Sequence, residues 1–295
     1  MTDSPSTPPA HAIDRLHLVA DHGRDHGPGR RIGVRIERLA GDTSPKPVAV
    51  LCHGFKGFMD WGFFPALSAA FADAGFLAVS LNASGSGIAG DPMTMDDEQA
   101  FFEDTYTKQL SDIAQVRAFA SQHAEALQGG DVLFGHSRGG GMAVISAAET
   151  APRALVTWAA FDDADRFDEE TKAAWRREGE LRIPNGRTGQ IHRIGPGALD
   201  ELEAHTGRLD ILAAARRVEV PYLVVHGTAD PTVDVAAAHR LLRAAPQSEG
   251  VILEGADHGF GARHPMASSV VGFPDLERAV AATLDFARRA VKLDG

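Results

Sequence analysis

Residues Asp131 to Glu149 read DVLFGHSRGGGMAVISAAE. DVLFGHS carries the apolar run of a strand, and GMAVISAAE reads as a helix. Between them, Gly135-His136-Ser137-Arg138-Gly139 fits the pattern G-x-S-x-G. A sharp strand-to-helix turn at such a site forces the serine into a strained conformation with its hydroxyl exposed. The flanking glycines then have a reason: the turn brings backbones too close for a Cβ. The helix N-terminus favours negative charge beside the hydroxyl. The plainer alternative is a serine that only caps the helix. The pattern alone is weak; its place between strand and helix makes Ser137 the candidate nucleophile.

Outward from this stretch the chain alternates. Leu16–Ala20 and Arg31–Ala40 read as two strands, and the turn-rich DHGRDHGPG between them suggests an antiparallel pair. Val48 to Cys52 form a near-continuous apolar run, suited to a strand buried on both faces of a parallel sheet. Helical spacing follows at Phe64, Leu67 and Phe71, stopped by Gly75. FLAVSLNAS is strand-like, and Leu110, Ile113, Val116 and Phe119 make one stripe of an amphipathic helix. ALVTWAAF, PYLVVHGT and GVILEG are further strands; VAAAHRLLRAA and DLERAVAATLDFARRAV are helices. Strands alternating with helices imply an α/β fold with a parallel sheet covered on both faces. Asp162 to Val218 break the rhythm, with helical pieces around LRIPNGRTGQIHRIG and a candidate hairpin turn at Asn185-Gly186. An irregular insert between two sheet strands is expected to cover the strand ends as a cap.

A serine hydroxyl needs a base. Among 13 histidines, His258 stands out because it follows the strand GVILEG and precedes the last helix. His264 is its rival. The base needs an acid to orient it. Asp230 follows LVVHGTA at another strand end; Asp234 and Asp162 compete with it, and Asp230 could instead serve only as a turn former before Pro231. For an oxyanion, CHGFKGF after the Val48–Cys52 run offers the backbone N–H of Phe55, released by the turn at Gly54. The second donor is the N–H of Arg138, the residue after the candidate nucleophile. Cys52 lies inside the apolar run and reads as core.

Bulk properties narrow the partners. With 29 Lys and Arg against 40 Asp and Glu, the net charge of −11 disfavours nucleic acid. A single cysteine excludes an internal disulfide framework and metal sites built from several cysteines. No H-E-x-x-H or comparable ligand spacing occurs, so no metal and no cofactor are expected. No apolar stretch has membrane-spanning length, and MTDSPSTPPAHA lacks the features of a signal peptide. The expectation is a cytoplasmic protein with a disordered tail over residues 1–12 and one domain over 13–295. The cap insert is placed at about 162–218, and a homodimer is left open.

Four pieces, HGFKG, GHSRGG, HGTADPTV and GADHGF, stand in an order and strand context that resembles the α/β-hydrolase superfamily. The resemblance runs from about Leu16 to the end of the chain. More narrowly the chain is similar to bacterial serine esterases related to feruloyl esterases, dienelactone hydrolases and acylaminoacyl-peptidase-like hydrolases. It departs from dienelactone hydrolases in having serine where they have cysteine, and no propeller domain of the peptidase kind is expected. The resemblance implies a mostly parallel eight-stranded sheet, a cap after the sixth strand, no cofactor, and the site Ser137, Asp230 and His258 with Phe55 and Arg138 as oxyanion donors. It implies hydrolysis of a small carboxylic ester through an acyl-enzyme. A thioester, amide or carbon–carbon bond is the alternative substrate class, and a non-catalytic ligand-binding homologue the remoter one. Phe55, Phe58, Met59 and Trp61 offer an apolar wall for the acyl group, or packing for the first helix. Lys56 and Arg187 could meet an anion on the substrate or face solvent.

Overall fold

The computed structural model describes residues 10–22, 30–89, 95–184 and 189–293. β1 (His11–Val19) and β2 (Arg31–Leu39) form the antiparallel pair that the turn-rich segment suggested. Then β3 (Lys46–Cys52), α1 (Phe64–Asp73), β4 (Leu77–Asn82), α2 (Glu98–Phe102), α3 (Tyr106–Ser121), β5 (Ala126–His136), α4 (Arg138–Glu149) and β6 (Ala154–Trp158) follow. The irregular insert contains α5 (Glu169–Glu178), β7 (Leu181–Pro184), β8 (Ile191–Ile194), α6 (Gly197–Ala204) and α7 (Ile211–Ala215). The chain closes with β9 (Tyr222–Gly227), α8 (Ala236–Ala244), β10 (Ser248–Leu253) and α9 (Pro274–Val291).

Eight strands make one sheet in the order β1-β2-β4-β3-β5-β6-β9-β10, the α/β-hydrolase arrangement that the four sequence pieces implied. From β4 to β10 every neighbouring pair is parallel. β3 shows why: all seven of its residues are buried, as a strand covered on both faces must be. Val48, Val50 and Cys52 face one core with Ile113 and Val116 of α3, Met142 and Ile145 of α4, and Leu241 of α8. Ala49 and Leu51 face the other, with Leu67 and Phe71 of α1 and Leu276 and Val280 of α9. The sheet is thus clamped between two apolar layers, and its strand ends are fixed in space.

β1 differs from its sequence signal. It starts at His11, ahead of the strand read at Leu16 and of the domain start at residue 13. Its pairing with β2 runs over the whole strand, from His11 opposite Leu39 to Val19 opposite Arg31. An edge strand with a largely exposed face needs no apolar run, so IDR left no signal. β7 and β8 pair antiparallel, from Leu181 opposite Ile194 to Pro184 opposite Ile191. The candidate turn at Asn185-Gly186 between them, Arg187, and residues 1–9 of the tail lie outside the described residues.

One polar pair ties the layers beneath the site. Arg117 of α3 grips Asp131 of β5 with Nε to Oδ2 at 2.9 Å and Nη2 to Oδ1 at 2.9 Å, and its Nη1 donates to the Thr150 carbonyl at 2.7 Å. Breaking one side of such a pair leaves the other charge buried and unpaired. Arg117→Met is expected to lower the unfolding free energy by about 3 kcal/mol. Urea unfolding measures it, and a loss well under 1 kcal/mol would show the pair to be ornamental.

Candidate active site

Phe55, Ser137, Arg138, Asp230 and His258 all follow the carboxyl ends of parallel strands of the large sheet. Ser137 sits between β5 and α4 with φ 57° and ψ −124°, a conformation L-residues rarely adopt. Its hydroxyl makes no capping hydrogen bond to α4, so it does not serve as a helix cap. Its N–H donates to the Trp158 carbonyl at 2.9 Å, while its own carbonyl accepts from Gly140 and Phe161. The glycines around it are dictated by space. A Cβ at Gly139 would come within 2.8 Å of the Cys52 carbonyl oxygen, and one at Gly135 within 2.7 Å of the Gly140 Cα.

His258 follows β10, and its Nε2 lies 3.0 Å from Ser137 Oγ. Its Nδ1–H donates to Asp230 Oδ2 at 2.7 Å. Asp230, after β9, has no solvent-exposed side-chain surface. Its other oxygen, Oδ1, accepts the N–H groups of Thr232 and Val233 at 2.7 and 2.9 Å. The turn-former and the histidine partner are therefore the same residue, one role per oxygen. Burial works to raise the Asp230 pKa. Hydrogen bonds from His226 and His258, the His258 charge and the Val233 N–H outweigh it and hold the carboxyl well below the usual carboxylate range. The rivals are engaged elsewhere. His264 Nδ1 accepts the Gly62 N–H at 3.0 Å, Asp234 accepts the Ala236 N–H at 2.8 Å, and Asp162 pairs with Arg240.

Two histidines that the sequence did not single out position these loops. His136 lies next to the nucleophile candidate, and its Nε2–H donates to the His258 carbonyl at 3.0 Å. Burial, helped by the neighbouring His258, pushes its pKa down to about 3. His53 donates from Nδ1 to the Gly54 carbonyl at 2.8 Å and accepts the Ala83 N–H on Nε2 at 3.0 Å. Burial pushes it down to about 4. The loop it fixes passes directly over the serine: a Cβ at Gly54 would lie 2.8 Å from Ser137 Cβ. The backbone N–H groups of Phe55 and Arg138 donate to nothing among the described residues. Cys52 is fully buried and its thiol is pushed upward by burial, as a core residue's would be.

A cavity of about 680 Å³ opens over Ser137 and His258. Its wall is aromatic, with Phe55, Trp61, Tyr106, Phe161, Phe167 and Trp175. Of the four expected wall residues, Phe55 and Trp61 line it, whereas Phe58 and Met59 are buried off it. The insert contributes Phe167, Trp175, Ile183, Ile194 and Ala198. Lys56 lines the cavity, with Nζ 5.9 Å from the Phe55 ring centroid. Asp104, Tyr106 and Arg166 line it too, and no sequence pattern marked them. Among the described residues no group of His, Cys, Asp and Glu could hold a metal ion, and no helix is long and apolar enough to cross a membrane.

A strand-to-helix turn carrying a strained serine, hydrogen-bonded to a histidine over an open cavity, defines a class: hydrolases built on a mostly parallel sheet. The model of the alpha/beta hydrolase family matches residues 49–268, and the chain belongs to that family. No curated protein matches the chain by sequence. Among solved structures it is similar to Est1E from Butyrivibrio proteoclasticus with ferulic acid bound, at 17% identity and a TM-score of 0.71, covering 94% of this chain and all of that one. The esterase domain of a Rhodothermus marinus protein is 22% identical, with a TM-score of 0.60 over 94% of this chain and 98% of that one. A puromycin-hydrolyzing peptidase of Mycobacterium tuberculosis is 16% identical with a TM-score of 0.66; the match covers 96% of this chain but 40% of the peptidase. At these identities the likeness is one of fold.

His53 and His136 give the fold a pH limit with a definite sign. Both are neutral when folded, with values of about 4 and about 3, below the ordinary 6.5 that the unfolded chain regains. The unfolded state therefore takes up protons first as pH falls below 6.5. Each histidine should remove about 2 kcal/mol of stability between pH 7.5 and pH 5. In urea unfolding at the two pH values, His136→Asn should flatten the decline by about that amount. An identical decline in the variant and the parent would contradict it.

Proposed function

We propose that the protein is a serine hydrolase that cleaves a small carboxylic ester through an acyl-enzyme. The hydrogen-bond chain from Asp230 through His258 to Ser137, at the floor of an aromatic cavity, is the observation that supports this reading. In the first half-reaction Ser137 Oγ attacks the ester carbonyl and its proton passes to His258 Nε2. The imidazolium so formed is stabilised by ionised Asp230, which keeps Nδ1–H pointed away from the serine. The carbonyl oxygen becomes an oxyanion between the Phe55 and Arg138 N–H groups, each worth roughly 3 kcal/mol in the transition state. His258 then gives its proton to the departing alcohol. In the second half-reaction His258 takes a proton from water, the hydroxide equivalent attacks the acyl-enzyme, and the proton returns to Ser137 as the acid leaves.

Nothing in the cycle needs a group beyond this chain's own residues and water. The strained backbone of Ser137 keeps the hydroxyl exposed on the substrate side. The aromatic wall favours an acyl or alcohol portion with apolar surface, and the cavity of about 680 Å³ accommodates a small ester. The proposal includes a cytoplasmic setting and action without nucleic acid, membrane or cofactor.

Hydrolysis of p-nitrophenyl butyrate, together with labelling by a fluorophosphonate, tests the proposal. The parent protein should turn over the ester and be labelled on Ser137. Ser137→Ala should lose labelling and essentially all turnover. Asp230→Asn should keep the serine but lose on the order of 10⁴-fold in kcat, because the wrong imidazole tautomer then faces it. Turnover that survives Ser137→Ala unchanged would refute the mechanism. An unlabelled, inactive parent would point to a ligand-binding module.

A further inference from the structure

The proposed cycle uses only the backbone of Arg138, yet its side chain is among the most constrained in the molecule. The residue is 8% exposed. Nε donates to Gln109 Oε1 at 2.8 Å, and Nη2 to Asp104 Oδ2 at 2.5 Å. Gln109 is anchored in turn, its Nε2 donating to the His53 carbonyl at 3.2 Å. The guanidinium lies over two rings, with Cζ 5.4 Å from the Phe55 centroid and 5.1 Å from that of Tyr106. All four held positions are thus accounted for by neighbours on the oxyanion loop, α3 and the segment before it.

One nitrogen is left over. Nη1 makes no hydrogen bond among the described residues, and it is not among the polar atoms sealed from solvent. Arg138, Asp104, Tyr106 and Phe55 all line the cavity above Ser137, so the uncovered part of the guanidinium opens there. A guanidinium fixed on two sides offers its remaining N–H groups in a set direction, with little ordering still to be lost on binding. An alkyl chain packed against Nη1 would strip its water and return nothing. An oxygen acceptor would satisfy it.

The charge of that acceptor follows from Asp104. Its carboxylate already balances the guanidinium, and its Oδ1 is buried without a hydrogen-bond partner. A substrate carboxylate at Nη1 would bring a second negative charge to a guanidinium whose own charge Asp104 already offsets. A ketone, ether or ester oxygen would not. Resting on the hydrolase reading above, we infer that Arg138 is a specificity residue. Its Nη1 selects substrates that carry a neutral hydrogen-bond-accepting oxygen away from the scissile ester.

Matched esters test this, with rates followed by proton release. Ethyl 4-oxopentanoate is set against ethyl pentanoate on the acyl side, and 2-methoxyethyl acetate against butyl acetate on the alcohol side. In the parent protein the oxygenated member of at least one pair should have a kcat/KM roughly ten- to hundredfold higher. In Arg138→Met that ratio should fall to about one, whatever the absolute rates. Because Asp104 then loses its cation, the double variant Arg138→Met/Asp104→Asn is measured beside it. Fluorophosphonate labelling of Ser137 identifies which of the two retains its site. Equal rates within both pairs in the parent, or a preference that survives both variants, would overturn the inference while leaving the hydrolase reading intact. Faster cleavage of monoethyl succinate than of ethyl 4-oxopentanoate would overturn the neutral acceptor. No cleavage of any ester, with Ser137 unlabelled, would instead sink the hydrolase reading itself.

Discussion

The rest of the structure depends on the backbone of Ser137 being held at φ 57° and ψ −124°. A non-glycine residue there stores on the order of 1–3 kcal/mol, and it persists only where surroundings overdetermine it. Here they do. The Ser137 N–H is tied to Trp158 at the end of β6, and its carbonyl receives N–H groups from α4 and from Phe161. β5 and α4 are locked by their own core layers, so neither can rotate to relieve the turn. Relaxing Ser137 would require moving a central strand, its neighbour and a buried helix together.

Strain of the same kind recurs at the site's other loops. Besides Ser137, positive φ at a non-glycine residue occurs at Lys56, Ala159 and Phe260, and away from the site at Lys292. The first three follow β3, β6 and β10, each beside a candidate functional group. Neutral buried histidines hold two of these loops where charged groups would be expensive. His53 joins the loop after β3 to the end of β4, and His136 joins the Ser137 turn to the loop of His258. A neutral imidazole serves because it donates once and accepts once without carrying charge into the core.

Much of this was legible from the chain alone, for a physical reason. Parallel strands buried on both faces must be apolar throughout, so β3, β5 and β9 announce themselves, and with them the loops at their carboxyl ends. Ser137 and Asp230 could be chosen because each follows such a strand, and His258 because it lies between the last strand and the last helix. What was illegible lacks that marker. β1 is held by backbone pairing with an exposed face, so its polar residues carry no pattern. Phe58 and Met59 have the same apolar character as Phe55 and Trp61, and only the course of the loop turns one pair inward and the other toward the cavity. Asp104 and Arg166 come from segments without regular spacing. Their place over the site depends on how α2, α3 and the insert pack, which no local signal encodes. His53 and His136 were in view as parts of motifs, but their roles require knowing which carbonyl each ring reaches.

The cavity wall and the loop after β3 are not independent pieces. Phe101, Trp175, Ile194, Ala198 and Leu199 form a small apolar cluster of their own, apart from the two layers that clamp the sheet. Phe55 packs against it, with its ring 5.3 Å from that of Phe101. The same residue supplies the proposed oxyanion N–H and one of the two rings that meet the Arg138 guanidinium. The insert therefore reaches the proposed oxyanion group through Phe55. A substitution at Trp175 that loosened this cluster would free the Phe55 ring and, with it, the peptide that carries the N–H. In the proposed cycle, selectivity and rate would then change together, because one side chain fixes the wall and one backbone group of that same residue fixes the oxyanion.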